Sequence, residues 1–385
     1  MKTNSVINPF ISFYTKYKIS PVHQDIRNFR RHLLRREKLY RLLGLVPVTF
    51  KDKAILEIGP GGGYNALVLF LWGANIDFIE PNPKAREELP ILFKKYKIKD
   101  DRWKLFPCKA EEFEINKKYD VVIAEGFIPG LYRRNEVIAK ISDSVNFGGV
   151  VVVTCVDELS FFFELVKRLI AHRFLQKKNA EEFSKKVTLL SRAFSSHLKS
   201  LKFASRPIQD WVTDNFLNPA IYGNFFSVAE CIEEFGENFM PLGSSPSMFT
   251  DYSWYKDTEF NSRNSFLEQF YAKRHVLMSW NMPETIRTKE ANNNLAQEIS
   301  ELRKFAGKAE QDLTEKSIKE IVKRLQRIKG LIRAVDIRIY KAINEAIGLL
   351  LDKDLDEFKI SHASGLASAF GRGQQYLSLA KKFTT

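Results

Sequence analysis

The sequence is short of the features that mark secreted or membrane-spanning chains. It holds only three cysteines, Cys108, Cys155 and Cys231, scattered without paired spacing. They make neither a disulfide framework nor a metal-ligand pattern, so a reducing compartment is expected and no metal. Long hydrophobic runs are missing too. The longest in the front half, ALVLFLW at 66–72, is far shorter than the ~20 residues of a membrane span. The first residues, MKTNSVINPFISFYTKYK, lack the apolar core of a signal peptide. The expectation is a cytoplasmic protein with no membrane span.

Acidic charge is in deficit, but only at the two ends. The net charge is +14. Residues 1–53 carry twelve Lys/Arg against three Asp/Glu, residues 285–385 carry nineteen against thirteen, and the middle is nearly neutral. The densest patch, RNFRRHLLRREKLYR at 27–41, has a helical pattern. An RNA- or membrane-binding face would look like this. So would a solvated helix with Phe29, Leu33 and Leu34 turned inward, and the three-to-four spacing of the apolar residues favours that plainer reading.

What the chain does have is an alternation of apolar strands and helices. Strands are expected at 54–59, 75–81, 103–113, 119–126 and 148–157. Helices fall between and after them at 64–73, 84–97 (broken at Pro90), 133–145 and 158–174. Such alternation implies an α/β fold with a doubly wound, mostly parallel sheet covered on both faces. The expected organisation is a helical N-terminal cap (1–50), an α/β domain (51–175), a helical and aromatic insertion with a sheet-completing hairpin (176–284) and a helical C-terminal domain (285–385), through which an oligomer could form. In the last of these, long helices packed as a pair or bundle are expected, with Gly330 and Gly348 arguing against a pure heptad coiled coil.

The segment LEIGPGGGYN (56–65) lies at the carboxyl end of the first strand, where ligands of such sheets bind. Glycine lets backbone turn tightly and approach a ligand closely. GGGYNA (61–66) formally satisfies the dinucleotide pattern, which keeps an NAD(P)-binding oxidoreductase open. The alternative pattern is E-x-G-x-G-x-G, with Glu57 on the strand followed by Gly59, Gly61 and Gly63.

This second pattern resembles the first motif of the class I S-adenosylmethionine-dependent methyltransferases. DFIEPNP, CKAEEFE, YDVVIAEGFIPGL and FGGVVVVTCVD follow in the family's order, over roughly residues 50–170. The resemblance implies S-adenosylmethionine as cofactor. Glu57, Gly59, Gly61 and Gly63 would form its cradle, Glu80 would hold the ribose hydroxyls, and Ala110 and Glu111 would frame adenine. The family's Asp before that alanine is Lys109 here, which leaves Glu111 or a backbone amide to hold the base. Glu125 and Gly126 end the fourth strand beside the expected methyl position, and Glu125 is a candidate base or a partner for the cofactor's amino end. Asp157, at the end of the fifth strand, is a second candidate base.

For the acceptor, Phe127 and the aromatic stretch holding Trp211, Asp214, Asn215 and Tyr222 suit a pocket wall or lid. Arg372, Gln375 and Tyr376 suit a tail folded back onto it. The resulting expectation is methyl transfer to an oxygen or nitrogen nucleophile of a small or medium-sized acceptor. An RNA- or protein-directed methyltransferase docking through its basic ends is the runner-up. No N-P-P-Y follows the fourth strand, where the sequence reads AEGF, which argues against base-amino methylation.

Overall fold

A computed structural model of the chain describes residues 9–17, 26–131, 133–202, 204, 206–223, 225–310 and 312–383. The chain forms two compact units. The first is a sheet unit of residues 1–156, 223–270 and 374–385, and the second is a helical unit of residues 157–222 and 271–373.

The sheet unit holds seven strands: β1 (Ala54–Ile58), β2 (Asn75–Ile79), β3 (Trp103–Phe106), β4 (Tyr119–Ala124), β5 (Val145–Cys155), β6 (Phe239–Ser245) and β7 (Gln375–Lys381). Their order is β3-β2-β1-β4-β5-β7-β6. The first five are parallel neighbours, and β7 runs antiparallel to both β5 and β6. Apart from Glu57 on β1 and Asp120 on β4, these two strands are apolar along their length, the pattern of parallel strands covered on both faces. The helices used below are α1 (Pro9–Tyr17), α2 (Phe29–Leu42), α3 (Ala66–Leu71), α4 (Pro83–Lys95) and α5 (Arg134–Ser144). Asn28 caps α2 by accepting from the Arg31 amide at 3.0 Å. Asn82 caps α4 by accepting from Lys84 and Ala85, with Pro83 in the first turn, where its missing N–H costs nothing. A core of aromatic rings lies under α2: Tyr40 meets Phe50 at 4.9 Å and Trp72 at 5.5 Å between centroids.

Three sequence expectations change here. The helix over 84–97 does not break at Pro90 but runs through it from Pro83 to Lys95. The sheet is not completed by a hairpin within 241–257. β6 supplies one strand, and β7, from the tail read as helical, supplies its partner. The α/β domain does not extend to 175, because the helix Phe162–Lys177 belongs to the helical unit.

The helical unit is built on amphipathic helices, among them Lys289–Ala309, Glu315–Ile332 and Ile337–Leu351. Leu295, Ile299 and Leu302 on one, and Ile318, Ile321, Leu325 and Ile328 on the next, form buried stripes at the spacing of a helix face. Gly330 and Gly348 lie inside continuous helices. The break comes at residues 333–336, where Asp336 caps the next helix by accepting from the Arg338 amide.

Candidate cofactor and active site

β1 delivers the chain to the centre of the carboxyl edge and then turns on left-handed glycines. Gly61 has φ +54° and Gly63 φ +76°, values a side chain with a Cβ resists. A Cβ on Gly63 would also stand 2.4 Å from Leu89. The turn is braced from the next strand. Glu80, just past β2, accepts from the Gly61 amide at 3.0 Å and from the Asn82 amide at 2.8 Å. Burial pushes the Glu80 carboxyl up, and these two backbone donors oppose the shift. Glu80 thus lies against the glycine turn.

Around β4 the structure gathers residues from three elements. Arg36 of α2 grips Glu125 with both terminal nitrogens, Nη1 to Oε2 at 3.0 Å and Nη2 to Oε1 at 2.6 Å, and Nη2 also donates to the Tyr40 hydroxyl at 2.9 Å. Asn65 donates to Glu125 Oε2 at 3.2 Å. Tyr376 of β7 feels the same pair: burial first and Glu125 next raise its hydroxyl's pKa, with Arg36 opposing. His32, one turn before Arg36, donates through Nε2 to the Tyr64 carbonyl at 3.1 Å, so α2 is tied to the glycine turn as well. Burial and then Arg36 lower the His32 pKa, which keeps the ring neutral.

Glu57 lies beside this cluster with 3% of its surface exposed. Its carboxyl is pushed up to about 8, first by burial and then by the Glu125 charge, against the pull of Arg36. Glu57 Oε2, Asn65 Oδ1 and Arg36 Nε are all buried without a hydrogen-bond partner. An ordinary glutamate titrates near ~4.3, so the folded chain holds the Glu57 proton more tightly than the unfolded chain does. The stability this contributes is fully present below the unfolded value and is lost as pH rises through 8. Glu57→Gln is expected to flatten that loss. Urea midpoints of the variant should change little between about pH 5 and pH 9, while those of the native chain fall. Parallel curves for the two would show that Glu57 is not the group responsible.

Several expected site residues have other tasks. Asp157 is fully buried, with Oδ1 accepting from the Leu159 amide at 2.9 Å and Oδ2 from Arg274 Nε at 2.8 Å. Both of its carboxylate oxygens are thus held by partners within the helical unit. Glu125 is engaged by Arg36 and Asn65. Trp211 is no lid: it is buried in the helical unit against Phe216 at 4.9 Å and Phe370 at 5.9 Å. Asp214 pairs with Arg206, and Asn215 donates to the Trp211 carbonyl. The Tyr222 ring lies under the Arg168 guanidinium at 4.8 Å. Arg372 binds the Val276 and Met282 carbonyls at 3.1 and 2.9 Å, which pins the end of the helical unit. Those five residues therefore serve the helical unit's own packing.

Phe127, Gln375 and Tyr376 belong to the sheet unit. The Phe127 ring lies 3.2 Å from where a Gly59 Cβ would stand, and Gln375 is buried in the strand opposite Cys155. Gly126 donates to Thr154 Oγ1 at 2.7 Å. Ala110 and Glu111 are half-buried in the turn after β3, where Lys140 also bonds the Phe113 carbonyl at 2.9 Å. The sequence reading missed His32, Arg36, Tyr40 and Asn65. Its one usable signal was the four-residue step from His32 to Arg36 to Tyr40, hidden among six other basic residues in 27–41.

No family model and no curated protein matches the chain. Among solved structures, the N-methyltransferase NodS of Bradyrhizobium japonicum, in complex with S-adenosyl-L-homocysteine, is 17% identical over 40% of this chain and 75% of its own, with a TM-score of 0.32. TehB of Haemophilus influenzae is 17% identical over 39% of this chain and 46% of its own, TM-score 0.27. StiE O-MT is 16% identical over 34% of this chain, TM-score 0.28, and the chain spans 43% of its length. By its own strand order, with a left-handed glycine turn after the first strand and an acid that braces that turn from the second, the chain has a doubly wound, mostly parallel α/β fold.

Proposed function

We propose that the chain is an S-adenosylmethionine-dependent methyltransferase acting on an oxygen or nitrogen nucleophile of a small or medium-sized acceptor. One observation carries the reading: Glu57 Oε2, Asn65 Oδ1 and Arg36 Nε are orphaned around Glu125 beside the glycine turn. Buried polar atoms are nearly always satisfied. Unmatched acceptors and a donor at the carboxyl ends of β1 and β4 therefore suit a compact ligand bearing both an ammonium and a carboxylate. The amino-acid end of the cofactor has that chemistry. Glu80 and the glycine amides would hold the ribose, and residues 110–111 would lie toward the base. When bound, the cofactor supplies a methyl group on a cationic sulfur, already electrophilic.

The chain's own residues then have a modest task. Alignment of the two reactants can supply up to about 7–11 kcal/mol in favourable intramolecular cases. Glu125 is held by Arg36 and Asn65, and Asp157 by Arg274 and the Leu159 amide. The Tyr40 and Tyr376 hydroxyls are raised by burial and stay protonated, so they act as donors. In this reading the chain orients and encloses the acceptor, which passes its proton to water as the methyl group moves from sulfur to the nucleophile.

Calorimetric titration tests the reading. S-adenosylmethionine and its demethylated product should both bind, and Gly61→Val should abolish binding, because a β-branched residue at φ +54° cannot hold the turn. Absence of heat with both compounds, together with clear binding of a nicotinamide dinucleotide, would replace methyl transfer with oxidoreduction.

A further inference from the structure

α2 turns polar groups inward along with its apolar ones. His32, Arg36 and Tyr40 are buried at four-residue steps, and Phe29 and Leu39 pack against the core beside them. The sequence reading turned Leu34 inward, yet Leu34 is 56% exposed. The outward stripe runs Arg31, Leu34, Lys38, Arg41 and Leu42, at the three-to-four spacing of one helix face. The aliphatic surface continues past the helix. Gly44 lies against Leu242 of β6, and Leu42, Leu242, Val46 and Val48 all stay exposed, Val48 at 72%.

Cations frame this surface. Arg30, Arg31, Lys38, Arg41 and Lys51 are exposed, and among the described residues none of them forms an ion pair. Glu37 is the one acid in α2. The cations also crowd one another: Arg35 is held below its ordinary range, by burial first and by Arg31 next. Isolated exposed aliphatics are normal, whereas a continuous set edged by unbalanced cations marks an interaction surface.

We propose that this face docks on an anionic lipid surface, and that the acceptor is an amphiphilic molecule drawn from it. The second part rests on the methyltransferase reading, and the first does not. Lipid suits both halves of the stripe. Cations are attracted to anionic headgroups, while leucine and valine side chains gain by leaving water for the acyl boundary. A nucleic acid would engage the cations through its phosphates and stack its bases on aromatic rings, leaving the aliphatic side chains in water. α2 also carries Arg36 onto Glu125 and His32 onto the Tyr64 carbonyl, so a surface held against its outer face sits one helix away from the glycine turn.

The test is cosedimentation of the full chain with vesicles of phosphatidylcholine, with and without phosphatidylglycerol. Binding is expected to the anionic vesicles only and to weaken with salt. Arg31→Glu with Lys38→Glu should weaken it by at least about tenfold, and Leu34→Ser with Val48→Ser should remove the part that survives high salt. All variants should still bind the demethylated cofactor by calorimetry, which separates a lost surface from a lost cofactor site. Four results would overturn the docking: no binding of the native chain to anionic vesicles, aliphatic variants that bind as the native chain does, tighter binding of a single-stranded RNA oligonucleotide than of vesicles, or a dimer in sedimentation velocity that Leu34→Ser dissociates. Vesicle binding without any cofactor binding would leave the docking standing and refute the acceptor.

Discussion

Arg36→Ala should destabilise the sheet unit by on the order of 3–5 kcal/mol, the range for removing one partner of a buried charge pair. Arg36 is 5% exposed. It makes three hydrogen bonds, two to Glu125 and one to the Tyr40 hydroxyl. Without it, the Glu125 carboxylate would remain at the end of β4 beside the Glu57 carboxyl with no cation to balance it. The Glu57 carboxyl, already pushed up by burial and by Glu125, would lose the one cation that opposes the shift. Urea unfolding followed by circular dichroism measures the loss. Arg36→Met with Glu125→Leu removes both charges and should recover much of it, since most of the single-variant cost is the abandoned carboxylate rather than the pair itself. A single-variant cost below about 1 kcal/mol, the level of a surface pair, would mean that water reaches this cluster and that Arg36 does not organise it.

The sheet was readable in the sequence because its signals are local. β1, β2 and β4 are short apolar runs bounded by turn residues, and each falls within the stretch that its composition indicates. The glycine turn was readable for the same reason: four glycines after an apolar strand have few other uses. Glu80 followed from the family resemblance, which implies an acid at the end of the second strand. The rest of the site is not local. Glu125 and Asp157 look alike in sequence, each a carboxylate at a strand end, and their difference from a free base lies in Arg36, 89 residues away, and Arg274, 117 residues away.

Trp211 misled for a related reason. A tryptophan among Asp, Asn and Pro has the composition of a functional loop. Its neighbour Phe370 is 159 residues along the chain, and only the fold reveals that it helps close a core around Trp211. α2 was misread because helical spacing fixes which residues share a face and leaves open which face turns inward. Hydrophobicity alone selected Leu34. The ion-pairing demand of Glu125 selected Arg36.

Truncation before Gln374 should abolish folding of the sheet unit rather than merely its activity. The sequence read this tail as a helical segment folded back on an acceptor pocket, in which case its removal would spare cofactor binding. The fold places β7 between β5 and β6, in register from Val150 opposite Ala380 to Cys155 opposite Gln375, and from Phe239 opposite Lys381 to Ser245 opposite Tyr376. Removing it exposes two ladders of backbone donors and acceptors at once and leaves β6 without a neighbour. Leu377 and Leu379, both fully buried, each withdraw about 1.5–3 kcal/mol of apolar burial. The loss extends to α2, because Ser378 donates to the Leu43 carbonyl at 2.7 Å, and Lys381 bonds the Ser142 carbonyl at 2.6 Å at the end of α5. The expected product is insoluble, or soluble without a cooperative unfolding transition for the sheet unit. Leu379→Ala is the milder form and should cost about 2–5 kcal/mol while leaving the chain folded. A soluble truncated chain that unfolds at the native urea midpoint and still binds the demethylated cofactor would show that β7 is dispensable to the sheet, and the strand order given above would then be wrong at that edge.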